Sequence, residues 1–304
     1  MALSRADIGK LLRPGLRTTF GITYRDIPLE RDQVFESRTS TKAYEEDQNV
    51  WGTGYALEIA EGQAVSYDDV GQGWTARYVH KKIGLALRLR EEAMDDDQYI
   101  KWGSRGARSL ARSLRLKQDL DSINVLNNAD SASYLGGDGV PLASTAHPLS
   151  GPGGGTYSNI LATPTDISEA ALIELTLLMR YAVDDRGLPI HLTVKRLWAS
   201  SALEFDFIRL LKSTGRIEVA DNDINPIKDS AEFGSTPALL RLLTDHAAWG
   251  FTTSGHDGGL IHFDRRAVRA TNKDDFDTGD HLMKIDYRGS DGWTDPRGVY
   301  FGLI

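Results

Sequence analysis

Residues 51–60 read Trp-Gly-Thr-Gly-Tyr-Ala-Leu-Glu-Ile-Ala, and residues 77–90 read Arg-Tyr-Val-His-Lys-Lys-Ile-Gly-Leu-Ala-Leu-Arg-Leu-Arg. In the first run Trp51, Tyr55, Leu57 and Ile59 hold odd positions, with Gly, Ala or Glu at the even ones. In the second, Val79, Ile83, Leu85, Leu87 and Leu89 alternate with His80, Lys82, Arg88 and Arg90. A period of two is the signature of a strand with one covered face. Between the runs, Glu61–Gly73 carries Gly62, Gly71 and Gly73 with Asp68 and Asp69, a turn composition. The whole reads as one long two-stranded hairpin. An isolated hairpin is marginal in water, so its apolar face needs a cover from this chain or from another copy.

Upstream, residues 1–44 read as an arm. A short helix over Arg5–Leu12 is expected, stopped by Pro14 and Gly15, with polar, irregular chain beyond. The arm holds eight Lys/Arg and five acids, net +3, so the remainder carries −11 of the total −8. Either the arm touches nucleic acid or an acidic neighbour, or it is a solvated segment with ordinary charges.

Downstream, Asp95–Asn127 reads as a long helix, with Asp95–Asp97 at the end where the helix dipole favours anions. Ala107, Leu110, Ala111 and Leu114 fall on one side, and Arg105, Arg108, Arg112 and Arg115 form a basic stripe on another. Such a helix would extend about 50 Å, a strut for an elongated subunit, although Gly103 and Gly106 could move its start to near Arg105. The stripe either faces nucleic acid as a sequence-blind electrostatic lining or pairs with acids of this chain or of another copy.

Residues 129–164 are rich in loop signals, including Gly136–Gly139 and Gly151–Gly155. Asp166 and Glu169 give a capping-box-like start to a helix running to Val183. A strand follows with Ile190, Leu192, Val194 and Trp198 on one face, then a second helix capped by Ser201 and Glu204 and stopped at Gly215. From Ile217 onward the chain reads mostly as strand, with turns at Asn225-Pro226, Gly255–Gly259 and Gly289–Gly292. Helices segregated from hairpins predict an α+β fold.

Composition narrows the function classes. The chain has 304 residues, 40% of them hydrophobic, a net charge of −8 and no cysteine. Thiolate chemistry, disulfides and cysteine metal sites are excluded, and the acidity argues against a surface dedicated to phosphate backbones. Neither a signal-peptide core nor an apolar run of membrane-spanning length is present.

Several spots imitate sites. Asp221–Asn225 with Glu232 resembles a calcium loop, but Pro226 stands where a glycine turn is required. His256, Asp257, His262 and Asp264 are ligand types in a hairpin context that does not converge them, and Asp274, Asp275, Asp277 and Asp280 read as a solvated acidic loop. His147 follows Ser144 and Thr145, yet adjacency is not triad geometry, and no nucleophile elbow, phosphate loop or zinc helix motif occurs. No catalytic, cofactor-binding or metal residue is expected.

One ordered set of motifs carries a family likeness. Gly137-Asp-Gly-Val-Pro-Leu-Ala-Ser-Thr-Ala-His147-Pro-Leu, Gly155-Thr-Tyr-Ser-Asn-Ile-Leu-Ala162, Ser168-Glu-Ala-Ala-Leu, Asp185-Arg-Gly-Leu-Pro, Asp223-Ile-Asn-Pro226, Leu243-Thr-Asp-His-Ala-Ala-Trp249 and Asp286-Tyr-Arg-Gly289 occur in sequence. Together they resemble the Mu-like tailed-bacteriophage major head subunit family. The resemblance implies a Hong Kong ninety-seven type capsid fold and a non-enzymatic subunit. Such a subunit forms hexamers and pentamers around double-stranded DNA in the virion head, after synthesis in the host cytoplasm. It implies an N-terminal arm over 1–44, an E-loop hairpin over 45–90 and a peripheral domain with spine helix over 91–159. An axial domain over 160–265 and returning C-terminal strands over 266–304 complete the mapping. The implied partners are other copies, a scaffolding protein, a portal, a cement protein and DNA, with no membrane and no cofactor. No scaffolding segment precedes the arm, so a separate scaffold is expected and processing of this chain is not. The tip Glu61–Gly73 has no Lys, so the covalent crosslinks of some relatives are not expected. The alternatives from other classes are a tail-tube or decoration protein, and a hydrolase built on His147.

Overall fold

The structure, a computed structural model, describes residues 5–90, 92, 100–215, 224–228, 230, 232–234, 236–256 and 258–304. Two four-stranded sheets organise them. The first has the order β1 (Glu36–Thr39), β10 (Leu260–Asp274), β11 (His281–Trp293), β4 (Lys81–Leu89). The second has the order β12 (Val299–Leu303), β9 (Trp249–Ser254), β7 (Thr193–Ser200), β8 (Ala238–Leu240). Two-stranded ladders join β2 (Tyr44–Trp51) to β3 (Gly71–Val79), and β5 (His147–Pro148) to β6 (Thr156–Tyr157). The helices are α1 (Arg5–Asp26), α2 (Ile100–Asn127), α3 (Glu169–Arg180) and α4 (Glu204–Lys212). The fold is α+β, as the segregation of patterns predicts.

The helix α2 is the spine, and at 28 residues it extends about 42 Å. Its first half lays Ala107, Leu110, Ala111 and Leu114 against Met283, Ile285 and Tyr287 of the first sheet. Its second half places Ile123 and Leu126 in a core with Trp198, Val299 and Phe301, which belong to the second sheet. One helix thus ties both sheets together. Gly103 and Gly106 do not shorten it. A Cβ on Gly106 would lie 2.5 Å from the Leu87 side chain, so the glycine is what lets β4 approach the helix so closely. The expected start at Asp95–Asp97 lies outside the described residues.

Pro14 and Gly15 do not end the first helix either. It continues to Asp26 because Leu16 and Phe20, four apart, bury one stripe against α2 and the first sheet. Tertiary burial outweighs the hydrogen bond that a mid-helix proline removes.

The expected long hairpin is corrected in both strands. The first strand ends at Trp51, and residues 52–70 have no strand structure. The alternating run 77–90 is cut at His80: β3 pairs with β2, whereas β4 turns away to pair with β11, Leu85 facing Ile285. His80 marks the switch, buried with its ring nitrogens 3.0 Å from Ser40 Oγ and 2.9 Å from Ser290 Oγ. The alternation was real, but its two halves serve different sheets.

Smaller differences have local causes. The N-cap of α3 is Ser168, whose Oγ accepts from the Ala171 backbone, rather than Asp166, and the helix ends at Arg180. A single 3-10 turn capped by Ser200 precedes α4. Gly289–Gly292 lies inside β11, not in a turn. A Cβ on Gly292 would meet the Tyr78 ring at 2.8 Å, so that glycine makes room for a packed aromatic. From Ile217 onward the chain is mostly strand as expected, in β8 to β12, while 216–223 lie outside the described residues.

Candidate assembly surfaces

The stem of the β2–β3 hairpin is bound firmly to the body. Thr294 is one anchor: its carbonyl accepts from Trp74 Nε1 at 3.2 Å, and its hydroxyl lies 2.7 Å from Tyr78 Oη and donates to Asp47 at 2.9 Å. Arg297, 1% exposed, is the other. Its guanidinium donates to Asp295 at 2.8 Å, to Asp185 at 3.0 Å and to the Val183 carbonyl at 2.9 Å, and it lies 4.2 Å from the Tyr157 ring centroid. Asp185 in turn accepts from Asn49 of β2 at 2.9 Å. Burial alone would raise the Asp295 carboxyl, but His256 and Arg297 hold it at about 2. Burial also opposes the charge on Arg297, and the surrounding acids more than offset it, raising its pKa. This cluster is a structural bolt, each charge being paired in the interior.

Beyond the stem, residues 52–70 stand off the body. Tyr55, Leu57, Ile59, Val65, Tyr67 and Val70 are all exposed, Tyr67 to 98%. A tether crosses back: Arg186 Nη2 donates to Asp68 at 2.5 Å, and the same carboxylate accepts from the Gly54 backbone at 2.7 Å. These hydrogen bonds, the backbone ones first, lower the Asp68 pKa. Large apolar side chains gathered on one projecting segment mark an interaction surface.

The basic stripe is divided by the structure. Arg105, Arg108 and Arg112 are exposed and make no ion pair among the described residues. Arg115 is drawn away to the arm, donating to the Tyr24 carbonyl at 2.7 Å with its guanidinium 3.8 Å from the Tyr24 ring centroid.

The residues that imitated sites are occupied otherwise. His147 is fully buried, with Nδ1 2.7 Å from Asp138 and Nε2 3.2 Å from both the Leu142 carbonyl and Asn159 Oδ1. Ser144 Oγ accepts from the Ala146 backbone instead. His256 and His262 are not brought to one site, the first meeting Asp295 and the second Asp291, at 2.6 and 2.7 Å. Around His262, Arg31 from the arm, Ser122 from α2, and Asp264, Tyr287 and Asp291 from the first sheet form one buried polar knot. Burial works against protonation of His262, yet Asp264 and Asp291 raise its pKa. Glu232 of the calcium-like loop accepts from Arg180, and Asp221–Asp223, like Asp257, lie outside the described residues. Asp280 is not solvated as its acidic loop suggested. It is buried and paired with Arg88.

The sequence did not reveal Arg297, Asp185, Arg31 or Asp291. Arg297 and Asp185 meet across 112 positions, and no local spacing signals such a pair.

Comparison with known proteins places the chain. A phage capsid protein family matches residues 74–301. No curated protein matches it. A solved structure from Mycobacterium phage Adephagia is similar at TM-score 0.56 and 10% identity, covering 91% of this chain and 90% of that one. One from Microbacterium phage Oxtober96 gives 0.53 and 11%, covering 90% of each. One from Mycobacterium phage Bobi gives 0.52 and 13%, covering 99% of this chain and 98% of that one. At such identities the likeness carries the fold alone, which is the Hong Kong ninety-seven type of capsid subunit. The family match runs from within β3 to within β12 and takes in most of the chain, which therefore belongs to the phage capsid protein family as a structural part of the virion head and not an enzyme.

Proposed function

We propose that this chain is the Mu-like major head subunit that tiles an icosahedral shell, as hexamers and pentamers, around double-stranded DNA. The observation that carries this reading is the segment 52–70, six large apolar side chains held out from a body whose own cores are closed. A lone subunit gains nothing from that exposure, whereas overlap with a second copy buries it. Residues 1–44 then act as the arm and 45–90 as the E-loop, with β4 returned to the peripheral sheet. The spine helix within 91–159 builds the peripheral domain, 160–265 the axial domain, and 266–304 the returning strands. Subunits overlap without crosslinks, since 61–73 contains no Lys. A scaffolding protein, a portal at one vertex and a cement protein complete the partner set. Among the described residues no helix is long and apolar enough to cross a membrane.

The test is negative-stain microscopy of the purified chain, alone and with the head-assembly proteins of its phage. Closed shells or capsomer rings are expected. Tubes would replace this reading with a tail part, and small particles alone under both conditions would overturn it.

A further inference from the structure

The hairpin joining β10 to β11 ends in Asp274-Asp-Phe-Asp-Thr-Gly-Asp280. Phe276 at its summit is 99% exposed. An exposed phenylalanine is expected on a floppy tip, but this tip is internally bonded. The Asp275 amide donates to the Asp280 carbonyl at 2.9 Å, the Gly279 amide donates to the Asp275 carbonyl at 3.0 Å, and Thr278 Oγ1 donates to Asp275 at 3.1 Å. Arg88 of β4 clamps it from the side through Asp280 and Thr278. The backbone that carries the ring is thus held in place, with Asp275 and Asp277 as its chain neighbours, which lowers the ordering cost on binding.

The same end of the molecule carries a complementary face. His281 pairs with Leu89, and a Cβ on Gly103 of α2 would lie 3.7 Å from the Leu89 side chain, so the start of α2 sits beside the foot of the tip. The outward side of α2 presents Arg105, Arg108 and Arg112, followed one turn on by Leu116, 46% exposed. The spacing of three, four and four places all of them on one side of the helix. Cations leading into an apolar patch on one chain match anions flanking an aromatic ring on the other.

We propose that the Phe276 tip of one copy docks on the Arg105–Leu116 face of α2 in a second copy, the ring covering Leu116 and Asp277 meeting the arginines. The inference rests on the shell-forming role proposed above. The tip stands beside the start of α2, and the face runs from there along the helix; the two are different surfaces, so the contact is head-to-tail. It closes when a small ring of copies meets through it.

The chain has no cysteine, which makes the contact directly testable. Shells are assembled from the unaltered chain, from Phe276→Ser, from Arg108→Glu/Arg112→Glu, and from that charge reversal combined with Asp277→Arg. Phe276→Ser is expected to leave the melting curve of the unassembled subunit unchanged. It should raise the concentration needed for assembly by about tenfold or more, the loss of a buried aromatic anchor. The arginine reversal should do the same, and the combined reversal should recover assembly. A Phe276→Cys/Leu116→Cys chain should form disulfide-linked oligomers in shells and none as a dilute subunit. Normal assembly by Phe276→Ser and by the arginine reversal would overturn the docking while leaving the shell-forming role intact. Shells from the two-cysteine chain that contain no linked oligomers would overturn it equally. Failure of the unaltered chain to assemble would instead strike the functional reading itself.

Discussion

Residues 52–70 and the spine helix α2 draw on the same kinds of side chain and treat them in opposite ways. Leu110, Leu114, Ile123 and Leu126 on α2 are buried, whereas Leu57, Ile59, Val65 and Tyr67 on the loop are exposed. The helix repeats at a spacing that faces two sheets of its own chain, so its apolar groups find cover during folding. The loop begins where β2 stops pairing, and apart from the Arg186 tether its large apolar side chains are left exposed among the described residues. The difference separates two kinds of stability in one chain. The helix holds the subunit together, and the loop holds its apolar surface for contact between subunits.

That contrast predicts a graded series. The largest effect belongs to the bolt at the base of the loop. Arg297→Ala leaves Asp185 and Asp295 buried without their cation, and such a broken pair costs about 3–5 kcal/mol; a denaturant titration of the isolated subunit reads it. Replacing residues 53–69 by a short Gly-Ser link, joining Trp51 to its register partner Gly71, changes subunit stability by no more than roughly 0.5 kcal/mol. The same deletion abolishes shells under the microscope. A large loss of subunit stability would show that the loop is part of the core, and normal shells would show that it is not an assembly element. The smallest effect is at the tether. Arg186→Gln leaves the melting point unchanged and speeds limited proteolysis within 52–70. The tether also responds to pH in a definite sense. The Asp68 carboxyl is lowered from its ordinary 3.8, so the contact is complete above that value and is lost as pH falls through the depressed pKa. Equal cleavage rates at neutral pH in the variant and the unaltered chain would show that Arg186 does not restrain the loop.

Much of the fold was legible because it follows local chemistry. The period of 3.6 over Ala107–Leu114 fixed the buried face of α2, and the alternation over Ile83–Leu89 fixed β4 as a strand. The N-cap of α3 lies two positions beyond the expected Asp166, since Asp166 and Ser168 both offer an oxygen and only packing chose between them. The candidate site was less legible. The outward arginines were visible as a stripe, but the withdrawal of Arg115 to Tyr24 depends on the arm lying against α2. The acidic spacing over Asp274–Asp280 does not mark Phe276, and the hold on its tip depends on Arg88, nearly 190 residues away.

By itself the sequence determined the α+β class, the apolar content of the hairpin, the buried face of the spine and the lack of cysteine chemistry. Those properties are set by side chains within a turn or two of one another, where backbone geometry alone fixes who shares a face. Only the tertiary structure decided that the alternating run splits at His80, that Pro14 sits inside a helix, and that Arg297 and Asp185 close the base of the loop. Each of these turns on burial against distant chain. A long-range contact outweighs local preference whenever the apolar area or paired charge it covers exceeds the cost of one lost hydrogen bond.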